Sequence, residues 1–248
     1  MSQYNVGMSS RQASAAAMGV AVSLLCIACG SQRAASSGVA QSPATLTGVT
    51  GVDARPRIVV LGDSLTAGLG LSSDDAYPSL LQQRADSAGL KYAVVNAGVS
   101  GDTSADGLSR LEWALADNVD NAGKTGKLRI LIIALGGNDG LRGLPANELE
   151  HNLATIIERA QARHLGVILA GMEAPPNFGQ SYIVSFHQVY PDLAARYHVA
   201  LVPFLLQGVA GIDALNQRDG IHPTVTGARI VADNVWAVLR PMIEPPAK

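Results

Sequence analysis

Cysteine is almost missing from this sequence. The 248 residues contain two cysteines, Cys26 and Cys29, and both lie close to the amino terminus. The remainder of the chain therefore folds without a disulfide bond. Aromatic residues are also scarce, at 4% of the chain against 48% hydrophobic residues in total. The core must be built mainly from Ala, Val, Leu and Ile.

An excess of charge of either sign is lacking as well. Eighteen Lys and Arg residues stand against twenty Asp and Glu residues, which gives a net charge of -2. A nucleic-acid-binding surface requires a basic patch, so nucleic acid is not an expected partner. A chain of 248 residues suits one domain of ordinary size with a full core.

No hydrophobic run is long enough for a membrane-spanning helix, which needs about 20 apolar residues. The longest candidate is the segment Ala13–Ala28, with the sequence ASAAAMGVAVSLLCIA, and Arg11 is the only charged residue before Cys29. This pattern is typical of a secretory signal, so we expect residues 1–28 to be a signal peptide and the mature protein to be exported.

Cys29 follows the small residue Ala28 at the end of this apolar segment. The arrangement resembles the lipobox of bacterial lipoproteins, although Cys26 stands where that motif usually has Leu. The resemblance implies lipidation at Cys29 and a periplasmic, membrane-anchored protein. The C-x-x-C spacing of the two cysteines also permits a redox pair or a zinc site, but no His or further Cys lies near them.

The segment that follows, residues 29–54, is rich in Ser, Ala, Gly, Thr and Gln. Such a composition cannot bury enough apolar surface to fold. We expect a flexible tether that spans roughly 25–30 Å. A single folded domain is then expected over residues 55–248.

From Arg57 onwards, short apolar runs alternate with helical patterns. The runs lack period-two alternation and are rich in β-branched residues, which favours a parallel sheet covered on both faces. We predict a three-layer α/β/α sandwich with a flavodoxin-like strand order, 2-1-3-4-5. The predicted strands are Arg57–Leu61, Tyr92–Asn96, Leu128–Leu135, Gly166–Ala170 and Ala200–Phe204. The predicted helices are Tyr77–Ala88, Ala105–Ala116, Glu148–His164, Tyr182–Tyr197 and Val225–Leu239.

Four residues in these helical patterns carry specific expectations. Asn147, three residues before Glu150, is the predicted N-cap of the third helix. Pro191 is expected to kink or split the fourth helix. Trp113 and Trp236 are expected in the core.

Polar, glycine-rich turns follow the first three strands. Asp63-Ser64 comes after the first strand, Gly101-Asp102 after the second and Asn138-Asp139 after the third. In an open parallel sheet, ligands bind where the winding direction reverses, at the carboxyl ends of strands 1 and 3. The segment Asp219-Gly220-Ile221-His222 stands late in the chain and adds a carboxylate and an imidazole.

These four segments together resemble the four motif blocks of the SGNH, or GDSL, hydrolase superfamily. The chain is most similar to its bacterial thioesterase I, arylesterase and lysophospholipase group, from about Arg57 to Arg240. The stretches that carry the closer likeness are Gly101–Ser104, Gly136–Gly143 and Ala174–Gly179. The resemblance implies a serine esterase or thioesterase that acts on acyl esters and needs neither a metal nor an organic cofactor.

The resemblance also assigns roles to residues. Ser64 is the expected nucleophile, His222 its general base and Asp219 the carboxylate that orients the imidazole. The backbone N–H groups of Ser64 and Gly101 and the side-chain amide of Asn138 are the expected oxyanion hole. The segment after the fourth strand is expected to line the substrate pocket through Pro175, Pro176, Phe178 and Tyr182, or else simply to pack that connection.

Plainer interpretations exist for single residues. Ser64 alone is an ordinary helix N-cap, Gly101 a turn glycine and Asn138 an Asx-turn residue. Three carboxylates beside the motifs are expected to be structural, namely Asp63, Asp102 and Asp139. The other histidines have no metal-ligand spacing and are expected at the surface or at helix ends: His151, His164, His187 and His198.

Two alternative functions remain open on the same scaffold. One is a carbohydrate O-acetyl esterase, against which the likeness of Ala174–Gly179 to the thioesterase group argues. The other is a catalytically idle binding lipoprotein, which would be expected to lack one of the triad or oxyanion residues.

Overall fold

The computed structural model describes residues 54–116 and 127–244. The predicted signal peptide, Cys29 and all but the last residue of the predicted tether lie outside the described residues. The strands are β1 (Arg57–Gly62), β2 (Ala93–Gly98), β3 (Leu128–Ala134), β4 (Gly166–Ala170) and β5 (Ala200–Val202). The helices are α1 (Ser64–Ala67), α2 (Tyr77–Ser87), α3 (Ser104–Ser109), α4 (Leu111–Leu115), α5 (Gly137–Leu141), α6 (Ala146–Gln161), α7 (Gln180–Tyr197) and α8 (Val225–Ile243).

The five strands form one parallel sheet in the order β2-β1-β3-β4-β5. Helices cover both faces: α2 packs against α8, while α6 packs against α3 and α7. The α/β/α sandwich and the flavodoxin-like order predicted from the sequence are confirmed. All six residues of β1 are buried, as expected for a central strand covered on both sides.

The register of the sheet determines where along the strand direction the polar, glycine-rich turns begin. Gly62, the last residue of β1, pairs with Gly98 at the end of β2 and with Ala134 at the end of β3. Three adjacent strands therefore end at the same level. Whatever follows Gly62, Gly98 and Ala134 in the sequence is brought to one edge of the sheet.

Several local predictions are wrong. The predicted second helix is two short helices, because the backbone of Arg110 leaves the helical conformation between α3 and α4. Helix α6 begins one residue before Asn147 and follows Pro145, so Asn147 lies in its first turn and is not the N-cap. The predicted strand Ala200–Phe204 ends at Val202.

The predictions for Pro191 and Trp113 are also wrong. Helix α7 continues through Pro191 without a break, and the fully buried Tyr190 and Leu193 anchor it to the core on both sides of the proline. Trp113 is 44% exposed and is not a core residue. Trp236 is partly buried and packs against the core without belonging to its buried cluster, so its prediction is met only in part. Within the described ranges, no helix is both long and apolar enough to cross a membrane.

Candidate active site

The chain turns sharply after β1 and places Ser64 at the first position of α1. A Cβ atom on Gly62 would lie 2.0 Å from Thr66 Oγ1 and 2.9 Å from the Ala134 carbonyl oxygen, so this turn requires glycine. Asp63 is the N-cap, and its carboxylate accepts a hydrogen bond from the Leu65 N–H at 3.0 Å. The side chain of Ser64 is thereby held at the carboxyl edge of the sheet.

Ser64, His222 and Asp219 form a continuous hydrogen-bonded chain. His222 Nε2 lies 2.8 Å from Ser64 Oγ, and His222 Nδ1 lies 2.7 Å from Asp219 Oδ2. The second oxygen of Asp219 accepts the backbone N–H groups of Ile221 at 2.9 Å and of His222 at 3.0 Å. The structure therefore brings together the three residues that the sequence singles out as a catalytic triad.

Protonation states follow from these contacts. The two backbone N–H groups and the imidazole lower the pKa of Asp219 to about 2, so its carboxylate is ionised at neutral pH. An ionised carboxylate only accepts hydrogen bonds, so His222 Nδ1 carries the proton in the neutral ring. His222 Nε2 is then the acceptor, and the Ser64 hydroxyl donates to it. This is the tautomer that a general base next to a serine nucleophile requires.

Gly101 lies on the turn after β2, and Asn138 lies in the first turn of α5, which follows β3. Gly101 has φ +90° in a turn closed by a hydrogen bond from the Asp102 N–H to the Val99 carbonyl at 3.2 Å, a conformation that favours glycine. The side-chain amide of Asn138 donates to the Asp102 carbonyl at 2.9 Å. Its Nδ2 atom thus lies against the loop that carries Gly101.

The carboxylates beside the motifs hold these turns together. Asp139 accepts both the backbone N–H of Ser104 at 2.8 Å and its hydroxyl at 2.6 Å, which joins the loops after β2 and β3. Asp102 forms an ion pair with Arg110 at 2.5 Å. Asp63 caps α1, and burial raises its pKa to about 6. All three have structural contacts in the places that the sequence assigns to structural carboxylates.

A cavity of about 320 Å³ is lined by Asp63 and Leu65, which flank Ser64, and by Gly220 and Ile221, which lie between Asp219 and His222. The three triad residues themselves do not line it. Its wall is mostly apolar, and Asp63, Asn138 and Glu173 are its polar members. Pro175 and Pro176 lie on this wall. The other lining residues are Leu65, Gly137, Leu141, Met172, Ala174, Phe204, Leu206, Ala210, Gly220 and Ile221.

Phe178 and Tyr182 lie outside the lining of this cavity. The two rings contact each other with centroids 5.4 Å apart, and the Tyr182 hydroxyl donates to the Leu144 carbonyl at 2.7 Å. These residues pack the connection between β4 and α7 against the segment after α5. The contacts of Phe178 and Tyr182 are thus packing contacts, whereas Pro175 and Pro176 line the cavity.

The other histidines are all exposed. His164 and His198 stand at helix ends with φ of 58° and 52°, and His187 Nδ1 lies 2.7 Å from Glu173 Oε1. In residues 54–116 and 127–244, no group of three or more His, Cys, Asp or Glu side chains is arranged to hold a metal ion.

Three charged residues near the site are not identified from the sequence. Arg110 and Arg142 donate to backbone carbonyls of the motif loops, and Glu173 lies on the cavity wall. Contacts to carbonyl groups leave no signature in residue type or spacing. Glu173 adjoins the stretch Ala174–Gly179, and this position is the only signal that points to it.

Comparison with known proteins decides the family. Residues 60–230 match the GDSL-like Lipase/Acylhydrolase family. This protein belongs to that family. The match covers the end of β1 from Val60, the motif turns, the cavity wall and the Asp219–His222 segment.

Relatives within the GDSL-like family carry names that describe ester hydrolysis. The chain is 44% identical over 186 residues to the esterase TesA of Pseudomonas aeruginosa, which covers 75% of this chain and 89% of that protein. It is 37% identical over 186 residues to thioesterase 1/protease 1/lysophospholipase L1 of Escherichia coli K12, which covers 75% of this chain and 84% of that protein. A crystal structure of TesA superimposes with a TM-score of 0.69 at 44% identity, over 75% of this chain and 99% of that chain.

Membership in the GDSL-like family confirms the resemblance predicted from the four motif blocks. The predictions that the fold is that of the SGNH hydrolases and that the protein is a carboxylic ester hydrolase are confirmed with it.

The buried carboxylate of Asp63 predicts a pH-dependent stability difference. Its pKa is raised from the ordinary 3.8 to about 6, so the folded state holds a proton that the unfolded state releases, and stability falls as pH rises through this window. Asp63→Asn keeps the N-cap acceptor but cannot ionise. The free energy of unfolding of the variant relative to wild type is expected to rise by about 3 kcal/mol between pH 3.5 and pH 7. Urea unfolding of both proteins across this range measures the difference, and a constant difference would contradict the account.

Proposed function

We propose that this protein is a serine esterase and thioesterase that works through an acyl-Ser64 intermediate. The observation that supports this most directly is the chain of hydrogen bonds from the Ser64 hydroxyl through His222 to Asp219. A serine hydroxyl is a weak nucleophile until an adjacent base takes its proton. The neutral imidazole of His222, with its bare Nε2 atom directed at Ser64 Oγ, supplies that base.

In the first half of the cycle, Ser64 Oγ attacks the carbonyl carbon of the ester while His222 Nε2 takes the hydroxyl proton. The tetrahedral intermediate collapses, the bond to the leaving oxygen or sulfur breaks, and His222 returns its proton to the leaving group. An alcohol or thiol departs, and the acyl group stays on Ser64. Ionised Asp219 stabilises the imidazolium during both proton transfers.

In the second half, a water molecule gives a proton to His222 Nε2 and attacks the acyl carbon. The intermediate expels Ser64 Oγ, which regains the proton from His222, and the carboxylic acid is released. The cycle requires only groups of the chain and water.

The oxyanion of each tetrahedral intermediate needs preorganised donors. Ser64 N–H lies in the first turn of α1, where helix geometry provides no intrahelical acceptor. The Gly101 N–H and the Asn138 amide lie on the adjacent turns. Three donors from the ends of β1, β2 and β3 thus support the assignment of an oxyanion hole to Ser64, Gly101 and Asn138.

The cavity supports acyl esters as substrates. Its wall is mainly Leu, Ile, Met, Ala, Pro and Phe side chains, which suits a hydrocarbon chain better than a hydroxyl-rich sugar. Aryl esters, lysophospholipids and acyl thioesters fit this chemistry. The apolar wall therefore favours these substrates over acetylated carbohydrates.

Replacement of Ser64 by Ala tests the nucleophile. Hydrolysis of p-nitrophenyl butyrate is expected to fall by about 10³-fold or more, because the alanine side chain cannot form the acyl intermediate. The thermal unfolding midpoint is expected to stay close to that of wild type. Thr155→Ala, at a helix hydroxyl that bonds only its own helix backbone, is a matched control expected to retain activity. Wild-type turnover in Ser64→Ala would refute the proposal.

The pH profile tests His222. A protonated imidazole cannot accept the Ser64 proton, so kcat/KM is expected to fall as the pH is lowered from neutral towards about pH 4. Asp219 stays ionised there, since its pKa is about 2. Asp63 also titrates in acid, with its pKa at about 6, and Asp63→Asn separates its effect on activity from that of His222. The acid limb should persist in Asp63→Asn, and a flat profile down to pH 4 would rule out His222 as the base.

We further propose that the protein is exported and lipid-anchored. The support is the apolar segment before Cys29 and the small residue next to that cysteine. Residues 1–28 are then removed, and residues 29–54 connect the anchor to the hydrolase domain.

Mass spectrometry of protein expressed in a bacterium tests the anchor. The expected product begins at Cys29 and carries a diacylglyceryl mass that Cys29→Ala lacks. An unmodified amino terminus that retains residues 1–28 would contradict the proposal without affecting the catalytic assignment.

A further inference from the structure

The guanidinium of Arg110 contacts the loop after β2 and the carboxyl ends of β1 and β2, next to the nucleophile. Its Nε atom donates to Asp102 Oδ2 at 2.5 Å, Nη1 to the Ala97 carbonyl at 2.8 Å and Nη2 to the Gly62 carbonyl at 2.8 Å. The side chains of Arg110 and Asp102 are only 17% and 11% exposed. Each of the three guanidinium nitrogens therefore has an acceptor in a largely dry environment.

The three acceptors define the position of one turn relative to Ser64. Ala97 and Asp102 stand on either side of the turn in which Gly101 has φ +90°, and Gly62 is two residues before Ser64. The Gly62 carbonyl also accepts the Val99 N–H at 3.0 Å. One planar group thus holds both ends of the Gly101 turn and the end of β1.

We propose that Arg110 is a positioning residue of the oxyanion hole. The inference rests on the proposed function, in which the N–H groups of Ser64 and Gly101 bind the same oxygen. These two donors come from different strands, and Arg110 fixes the distance between the loops that carry them. The third donor is coupled to the same cluster, because Asn138 Nδ2 donates to the Asp102 carbonyl at 2.9 Å.

The geometry requires arginine at this position. A guanidinium presents several N–H donors in a fixed plane, whereas a lysine ammonium is a single flexible donor group. Lysine at position 110 can neutralise Asp102 but cannot hold the Ala97 and Gly62 carbonyls in the same plane. Arg110→Lys therefore keeps the charge and removes the three-point geometry.

Steady-state kinetics of Arg110→Lys on p-nitrophenyl butyrate test the role. We expect kcat to fall about 10- to 100-fold, since donor misplacement weakens a contact made in the transition state. We expect KM to stay within about twofold, because the ground-state ester depends little on the oxyanion hole. Arg196→Met is the matched control: Arg196 is an exposed arginine paired with Glu150 on α6, and its loss should change neither constant.

A double-mutant cycle with Asn138→Ala separates positioning from a purely structural role. If Arg110 acts through the oxyanion hole, Arg110→Lys costs several-fold less kcat in the Asn138→Ala background than in wild type. An equal loss in both backgrounds, or unchanged kcat in Arg110→Lys, would overturn the proposal.

A second variant covers the case in which Arg110→Lys does not fold. Asp102→Asn keeps an acceptor at Oδ1 and leaves Arg110 bound to both carbonyls, so a smaller loss of kcat with unchanged KM is expected. A rise in KM at constant kcat would contradict the inference. The proposed function fails separately, through an inactive wild type or an active Ser64→Ala protein.

Discussion

The hydrogen bond between Ser64 Oγ and His222 Nε2 joins residues 158 positions apart in the chain. The rest of the active site depends on it, because neither residue can act on an ester without the other. The fold satisfies this constraint with the central strand β1, which delivers Ser64 to the carboxyl edge. The segment between β5 and α8 returns His222 to the same edge. Asp219 then fixes the ring from within that segment.

The register of the sheet is the main feature that positions the turns around Ser64. Because β1, β2 and β3 end in register at Gly62, Gly98 and Ala134, the turns that follow stand side by side. Buried polar contacts then lock the turns: Asp139 to Ser104, Asn138 to the Asp102 carbonyl and Arg110 to Gly62 and Ala97. At neutral pH the ionised, buried carboxylate of Asp63 lowers the free energy of unfolding. Functional sites commonly contain such locally destabilising groups.

The sheet and the residues of its site are predicted from the sequence more reliably than the helices are. Five apolar runs predict the strands and suggest their order, because residue type reports burial there. The likeness of the four motif blocks to the SGNH hydrolases implies the convergence of Ser64, Asp219 and His222. The break at Arg110, the continuity of α7 through Pro191 and the exposure of Trp113 depend on tertiary packing, which local propensity does not report. The same holds for the contacts of Arg110 and Arg142 with backbone carbonyls. It also holds for the separation of Pro175 and Pro176, which line the cavity, from Phe178 and Tyr182, which do not.

A crystal structure of the protein after reaction with a p-nitrophenyl alkylphosphonate tests the central claim most directly, since the bound phosphonyl group mimics the tetrahedral intermediate. The account predicts a covalent bond from phosphorus to Ser64 Oγ. It also predicts one phosphonyl oxygen about 2.7–3.1 Å from the N–H nitrogens of Ser64 and Gly101 and from Asn138 Nδ2. Attachment to another residue, or a phosphonyl oxygen that meets none of these three donors, would contradict it.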